Sequence, residues 1–314
     1  MKCWKSLSVV LFFLLSVCAA GEAQTPTFHA NVNLIDVTFS ARTPQGVAVS
    51  DLNQSEVHVF EDDVPQTVQF FDHSSLPLTV GLIIDASGSQ KTFFRKHRHD
   101  LEKFLKDALA PQDQAFLICF GNYVRLVSDL TPSVDNIMKN YERYEHGDYN
   151  FPELGPVENR SEGTALFDSI YYAATGKLQT STQGRRALIV FSDGEDNSSS
   201  HDVMDAIEAA QNADILVYCI RYTERKKTLT SRDKYGMRVM ARIAQDTGAG
   251  DYDAVNGEHL GETFRQIGAE LRTLYTVGYY SGNRRHDGTF RRVRISVTRP
   301  DVIVRAKAGY YAKP

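Results

Sequence analysis

The chain has 314 residues, 42% hydrophobic and 24% charged, a globular composition with length for one large domain or two ordinary ones. Its formal net charge of −4 gives no electrostatic basis for nucleic acid or an anionic membrane as a partner.

Lys2 and Lys5 open the chain, and residues 7–17 (LSVVLFFLLSV) are apolar apart from two serines. Small residues follow, with Gly21 at the −3 position of a cleavage point between Ala23 and Gln24. This pattern predicts a secretory signal peptide over residues 1–23, its apolar core too short for a membrane span. An uncleaved anchor is the alternative, while Val17 before Cys18 does not suit a lipoprotein site. The mature chain keeps Cys119 and Cys219, each inside an apolar run (FLICF, ILVYCI), and both are expected as small core residues.

Residues 28–72 alternate as half-buried strands do, in VNLIDVTFSA, EVHVFEDD and QTVQFF, with turn-rich pieces between them. Half of a small β-sandwich is expected here, with Glu61, Asp62 and Asp63 at a hairpin tip. From residue 78 the pattern changes to near-continuous apolar runs, LTVGLIID, QAFLICF, RRALIVFSD and ADILVYCI, as in strands covered on both faces. Helical segments separate them. In the first, Phe94, Leu101, Phe104, Leu105 and Ala108 share one face, and Arg95, Lys96, His97, Arg98 and His99 are expected on a solvated one. Alternation of strands and helices predicts a doubly wound, mostly parallel sheet, with its ligand site beyond the strands' carboxyl ends. The loop over residues 146–163 is long and polar, and ends just before Thr164.

After residue 273 the β pattern returns. TLYTVGYY could close the central sheet, whereas TFRRVRISVT and VIVRAKAGYY are expected to pair with the N-terminal strands. The resulting division is a β-segment over residues 24–76, an α/β domain over 77–282 and C-terminal strands over 283–314. The α/β domain would then be inserted into a β-sandwich-like domain built from both chain ends.

The chemistry concentrates at two strand ends. LTVGLIIDASGS puts Asp85 at the end of a buried strand, with Ser87 and Ser89 in the following turn, and RRALIVFSDGED places Asp193 likewise. GTALFDSI sets Thr164 at a helix start. Hydroxyl and carboxylate oxygens without sulfur or imidazole suit Mg²⁺, Mn²⁺ or Ca²⁺, with Mg²⁺ first among them, and suit Zn²⁺ poorly. An ordinary polar turn at Asp85, with Asp193 capping a helix, is the plain alternative.

This D-x-S-x-S, with the later Gly163 and Thr164 and the later Asp193, resembles the von Willebrand factor A domain, where the set forms the metal-ion-dependent adhesion site. The resemblance implies that Ser87, Ser89 and Thr164 bind metal through hydroxyls, and that Asp85 and Asp193 bind directly or through water. It also implies that an acidic residue of a partner completes the shell, and that changes in the metal's shell move the helix over residues 258–273. Gln90 departs from the Met often found after the last serine. The flanking β-segments and the ending RRVRISVTRPDVIVRAKAGYYA resemble a bacterial family of exported proteins related to this domain.

Rival chemistries fail on particular residues. A phosphoryl-accepting Asp85 calls for a second aspartate where Ser87 stands, and Ser87 lacks the G-x-S-x-G elbow of a hydrolase nucleophile. No phosphate-loop lysine or H-E-x-x-H spacing is present. The expected function is therefore a non-enzymatic, exported, metal-dependent binding module for a protein ligand presenting Asp or Glu. Surface contacts from the 146–163 and 194–201 loops would support capture. The alternatives are a structural role in an envelope complex, with a fold-stabilising metal, and a metal-dependent hydrolase.

Overall fold

The protein is described from a computed structural model over residues 34–155, 163–180, 184–223, 228–254 and 260–312; the expected signal peptide and part of the 146–163 loop lie outside the described residues. In chain order come β1 (Leu34–Arg42), β2 (Val57–Glu61), β3 (Val64–Gln66), β4 (Val68–Asp72), β5 (Leu78–Asp85) and α1 (Phe94–Ala108). Then follow β6 (Gln114–Phe120), β7 (Val124–Thr131), α2 (Val134–Glu145), α3 (Leu166–Tyr172), β8 (Arg185–Ser192), α4 (Val203–Asn212) and β9 (Leu216–Arg221). The chain continues through α5 (Ser231–Thr247), β10 (Asp251–Asp253) and α6 (Leu260–Arg272). It closes with β11 (Tyr275–Tyr280), β12 (Phe290–Val297), β13 (Ile303–Ala306) and β14 (Gly309–Tyr311).

The apolar runs become the middle of a six-stranded sheet in the order β10-β9-β8-β5-β6-β7, parallel throughout except for β7. Every residue of β5 is buried, which explains why its sequence shows no alternation. One face is covered by α1, α2 and α6 through Leu101, Phe104, Ile137 and Phe264. The other is covered by α3, α4 and α5 through Leu166, Ile170, Ile207 and Ile243. The chain winds outward from β5 to β6 and β7, then returns across the sheet to β8. The order thus reverses between β5 and β8, the kind of switch point beyond whose carboxyl ends open α/β sheets place their ligands.

Two antiparallel four-stranded sheets, β13-β1-β11-β4 and β14-β12-β2-β3, pack around Val37, Phe39, Val59, Val277 and Val293. Both chain ends contribute: β12 pairs with β2 and β13 with β1. The α/β body is inserted between β4 and β11, which pair with each other.

TLYTVGYY therefore does not close the central sheet, whose edges are β7 and β10. As β11 it lies between β1 and β4. Tyr275, Val277 and Tyr279 point into the sandwich and Tyr280 is exposed, the period-2 signature of a strand with one buried face. Two further expectations change. His97 lies one turn before Leu101 on the inner face of α1 and is 0% exposed, its ring 4.3 Å from that of Tyr222; burial, then Lys96, pushes its pKa down to about 3. Asp62 and Asp63 do form a left-handed turn, at φ 48° and 65°, but Glu61 faces inward. Cys119 and Cys219 are free and buried, as expected of small core residues.

Glu61 joins the two sheets. Its carboxylate accepts hydrogen bonds from the hydroxyls of Tyr279 (2.9 Å) on one sheet and Tyr310 (2.9 Å) on the other, and from Ser281 (2.5 Å). Glu61→Ala would orphan these hydroxyls, and a loss of about 2–3 kcal/mol is expected. A lower urea midpoint at unchanged slope would show it; a midpoint equal to wild type would contradict it. The inserted body is held by a comparable group: Glu270 of α6, buried, accepts from Ser40 (2.7 Å) and Tyr218 (3.0 Å). Among the described residues no helix is long and apolar enough to cross a membrane.

Candidate metal centre

Asp85 ends β5 and is 0% exposed. Its Oδ1 accepts the Ser87 N–H (2.9 Å) and its Oδ2 the Ser192 hydroxyl (2.6 Å), so one carboxylate ties the turn after β5 to the end of β8. Ser87 is extended (φ −64°, ψ 167°), and the 3-10 turn Gly88–Phe93 then runs into α1. The Ser87 and Ser89 hydroxyls lie 3.2 Å apart, and Ser89 donates to Asp193 Oδ2 at 3.0 Å. Asp85, Ser87, Ser89 and Asp193 are therefore linked in one chain of short polar contacts at the switch point. Asp193 bonds to side chains of the Ser89–Gln90 turn, which is not the geometry of a helix cap.

The Asp193 turn is shaped by glycine. Gly194 has φ +84°, and a Cβ there would collide with the Gly236 carbonyl, as a Cβ on Gly236 would with the carbonyl of Asp193. Only paired glycines allow α5 to press against this turn.

Thr164 reaches the site by another route. The Ala165 N–H bonds to the Gly121 carbonyl (2.8 Å), and Gly121 abuts the backbone of Ala86 and Ser87. From the far side the loop after Asp193 grips it. Asn197 Oδ1 accepts the Thr164 N–H (2.8 Å), and the Thr164 carbonyl accepts N–H groups from Asn197 and Ser198. Further along, Asp196 accepts the Phe167 N–H and the Ser199 hydroxyl accepts the Asp168 N–H. Asp168, 1% exposed, accepts the N–H groups of Ser200 and His201 and the His201 ring (2.8 Å).

Sequence reasoning marked Gln90 only as a departure from the usual Met, and missed its contacts, the bond from Ser192 to Asp85 and this clasp. The DNSSSH run after the Asp193 turn was a usable signal, because short polar side chains in series bond to backbone. Asp168, flanked by Phe167 and Ile170 on a buried helix start, was another.

Among the described residues no cationic side chain pairs with Asp85 or Asp193, whose bonds are to Ser87, Ser192, Ser89, Gln90 and Glu195. Burial first, and the neighbouring Asp193 second, push the Asp85 pKa up to about 7, against hydrogen bonds from Ser192 and Ser87 that lower it. A cation between the two carboxylates would relieve both penalties. Among the described residues no group of three or more His, Cys, Asp or Glu side chains is gathered. The donors linked here are two carboxylates and the Ser87 and Ser89 hydroxyls, with Thr164 held beside them through its backbone, an all-oxygen set that fits a hard divalent cation.

No family model matches the chain, and no curated protein matches it. Solved structures do. The conserved hypothetical protein BatB from Bacteroides thetaiotaomicron is 16% identical over 60% of this chain and 97% of its own, with a TM-score of 0.45. A von Willebrand factor type A protein from Catenulispora acidiphila is 15% identical over 91% of this chain and 65% of its own, with a TM-score of 0.48. Proximal thread matrix protein 1 from the mussel byssus, in a structure with zinc in its metal-ion-dependent adhesion motif, is 11% identical over 67% and 49%, with a TM-score of 0.46. In this chain itself, the doubly wound strand order and the motif positions at its β5–β8 switch point coincide. The inserted α/β body has the doubly wound, mostly parallel architecture that the sequence resemblance to the von Willebrand factor A domain implies.

Proposed function

We propose that the protein is a metal-dependent protein-binding module acting outside the cytoplasm. Asp85, Ser87, Ser89, Thr164 and Asp193 hold a divalent cation, Mg²⁺ by preference, and an Asp or Glu of a partner protein completes its shell. The observation that carries this reading is the hydrogen-bonded series from Asp85 through the serines to Asp193, at the switch point of strand order where open α/β sheets bind ligands. Hydroxyls carry no charge, so two carboxylates, one of them buried, leave the ion short of neutralisation if water mediates either contact. An acidic partner group is then attracted to it. The signal-like N-terminus supports export.

Capture from host extract in Mg²⁺, repeated in EDTA and with Asp193→Ala, tests the reading. Chelation and substitution are each expected to abolish capture while the circular dichroism spectrum persists, and Asp193→Ala to weaken metal binding at least about tenfold. Unchanged metal binding and capture in Asp193→Ala or Ser87→Ala would overturn the proposal. If EDTA lowers only the melting temperature and leaves capture intact, the ion is a structural one.

A further inference from the structure

Gln90 follows the last motif serine and is 1% exposed. Its Nε2 donates to Asp193 Oδ2 at 2.8 Å and to the Tyr222 carbonyl at 3.2 Å. Both partners can only accept, so the amide's orientation is set by its contacts. The other end, Oε1, is buried and has no hydrogen-bond partner among the described residues. A buried acceptor left unused is a penalty that an apolar side chain of similar shape would avoid. The amide's donor end is therefore what distinguishes glutamine from methionine or leucine at this position.

That end acts on a carboxylate already engaged. Ser89 donates to the same Oδ2 at 3.0 Å, and the Glu195 N–H donates to Oδ1 at 3.0 Å. A carboxylate oxygen has two lone pairs, so Oδ2 is saturated by Ser89 and Gln90 together. Among the described residues Asp193 has no further donor, which leaves one lone pair open on Oδ1. The Tyr222 carbonyl, just beyond β9, anchors the amide from behind and keeps it aimed at Oδ2.

We propose that Gln90 is a positioning residue that withholds Asp193 Oδ2 from direct metal coordination, keeping the ion under-neutralised and receptive to a partner's carboxylate. This rests on the metal-binding reading above. Its signature is a trade: removing the donor frees a lone pair on Asp193 for the ion, so the ion alone binds more tightly.

The test is Mn²⁺ titrated into the full chain and its Gln90→Met variant, followed by electron paramagnetic resonance. Line broadening in ¹⁷O-enriched water counts the bound waters. The variant is expected to bind Mn²⁺ about tenfold more tightly, with one bound water fewer. Its melting temperature in EDTA reads the folding cost separately, since the substitution removes the orphaned Oε1 but also the donor to the Tyr222 carbonyl. Gln90→Leu repeats the experiment should methionine pack poorly. Equal or weaker Mn²⁺ affinity, or an unchanged water count, in a variant that melts normally in EDTA overturns the role given to Gln90 alone. A wild-type chain that takes up no Mn²⁺ overturns the metal reading itself.

Discussion

Asp168→Ala is expected to lower the unfolding free energy by about 3–5 kcal/mol, because several buried donors converge on this one carboxylate. The N–H groups of Ser200 and His201 approach its oxygens at 3.0 Å, and the His201 ring at 2.8 Å. Alanine would leave all three without their acceptor and open a polar void behind α3. The His201 ring also lies 3.7 Å from that of Tyr171, so its displacement would disturb packing as well. For a domain of this size the loss corresponds to a fall in melting temperature of roughly 10 °C. Asp168→Asn, which keeps one acceptor oxygen, should lose about half as much. A second readout separates this clasp from ordinary core stability. The same loop holds Thr164 through Asn197, so metal affinity should fall in Asp168→Ala even at temperatures where the variant is fully folded. A loss below about 1 kcal/mol would show that the loop finds equivalent bonds without the carboxylate.

The parts of the fold that sequence displayed were those whose burial is one-dimensional. A strand covered on both faces must be apolar at every position, so β5, β6, β8 and β9 announced themselves, and with them the strand ends bearing Asp85 and Asp193. Placement that depends on distant partners was harder to see. β11 carries enough apolar residues to suit a central strand, and only its pairing with β1 and β4 decides otherwise. His97 sits in a basic run, yet its helical phase matches Leu101 and places it inside. Gln90 illustrates the limit most clearly. Nothing local marks a glutamine after D-x-S-x-S as buried; its role appears only when the β8 turn brings Asp193 against it. The candidate site's oxygens were legible as a motif, whereas the groups that aim them were not.

The second large effect concerns Asp85 and pH in metal-free protein. Its carboxyl titrates near 7 in the folded chain, against a usual value of 3.8, because burial and then Asp193 oppose its charge. Below both values the group is protonated folded or unfolded, and contributes nothing to the difference. Between them the folded chain retains a proton that the unfolded chain has released, so stability falls as pH rises through the window from 3.8 to about 7. The accumulated loss is on the order of 4 kcal/mol once Asp85 is ionised in both states. Other carboxyls titrate over the same range, so the comparison is with Asp85→Asn, which keeps the shape and removes the proton exchange. In EDTA the variant should gain on wild type as pH rises from about 4 to about 7, and the gap should level off above that. In saturating Mg²⁺ the order should reverse, because the cation supplies the charge that Asp85 lacks and the asparagine cannot use it. Parallel stability curves for the two proteins in EDTA would mean that Asp85 is ionised in the folded state at low pH, already compensated by its hydrogen bonds to Ser87 and Ser192. The buried carboxylate would then exert no thermodynamic pull on an ion beyond that of its oxygens.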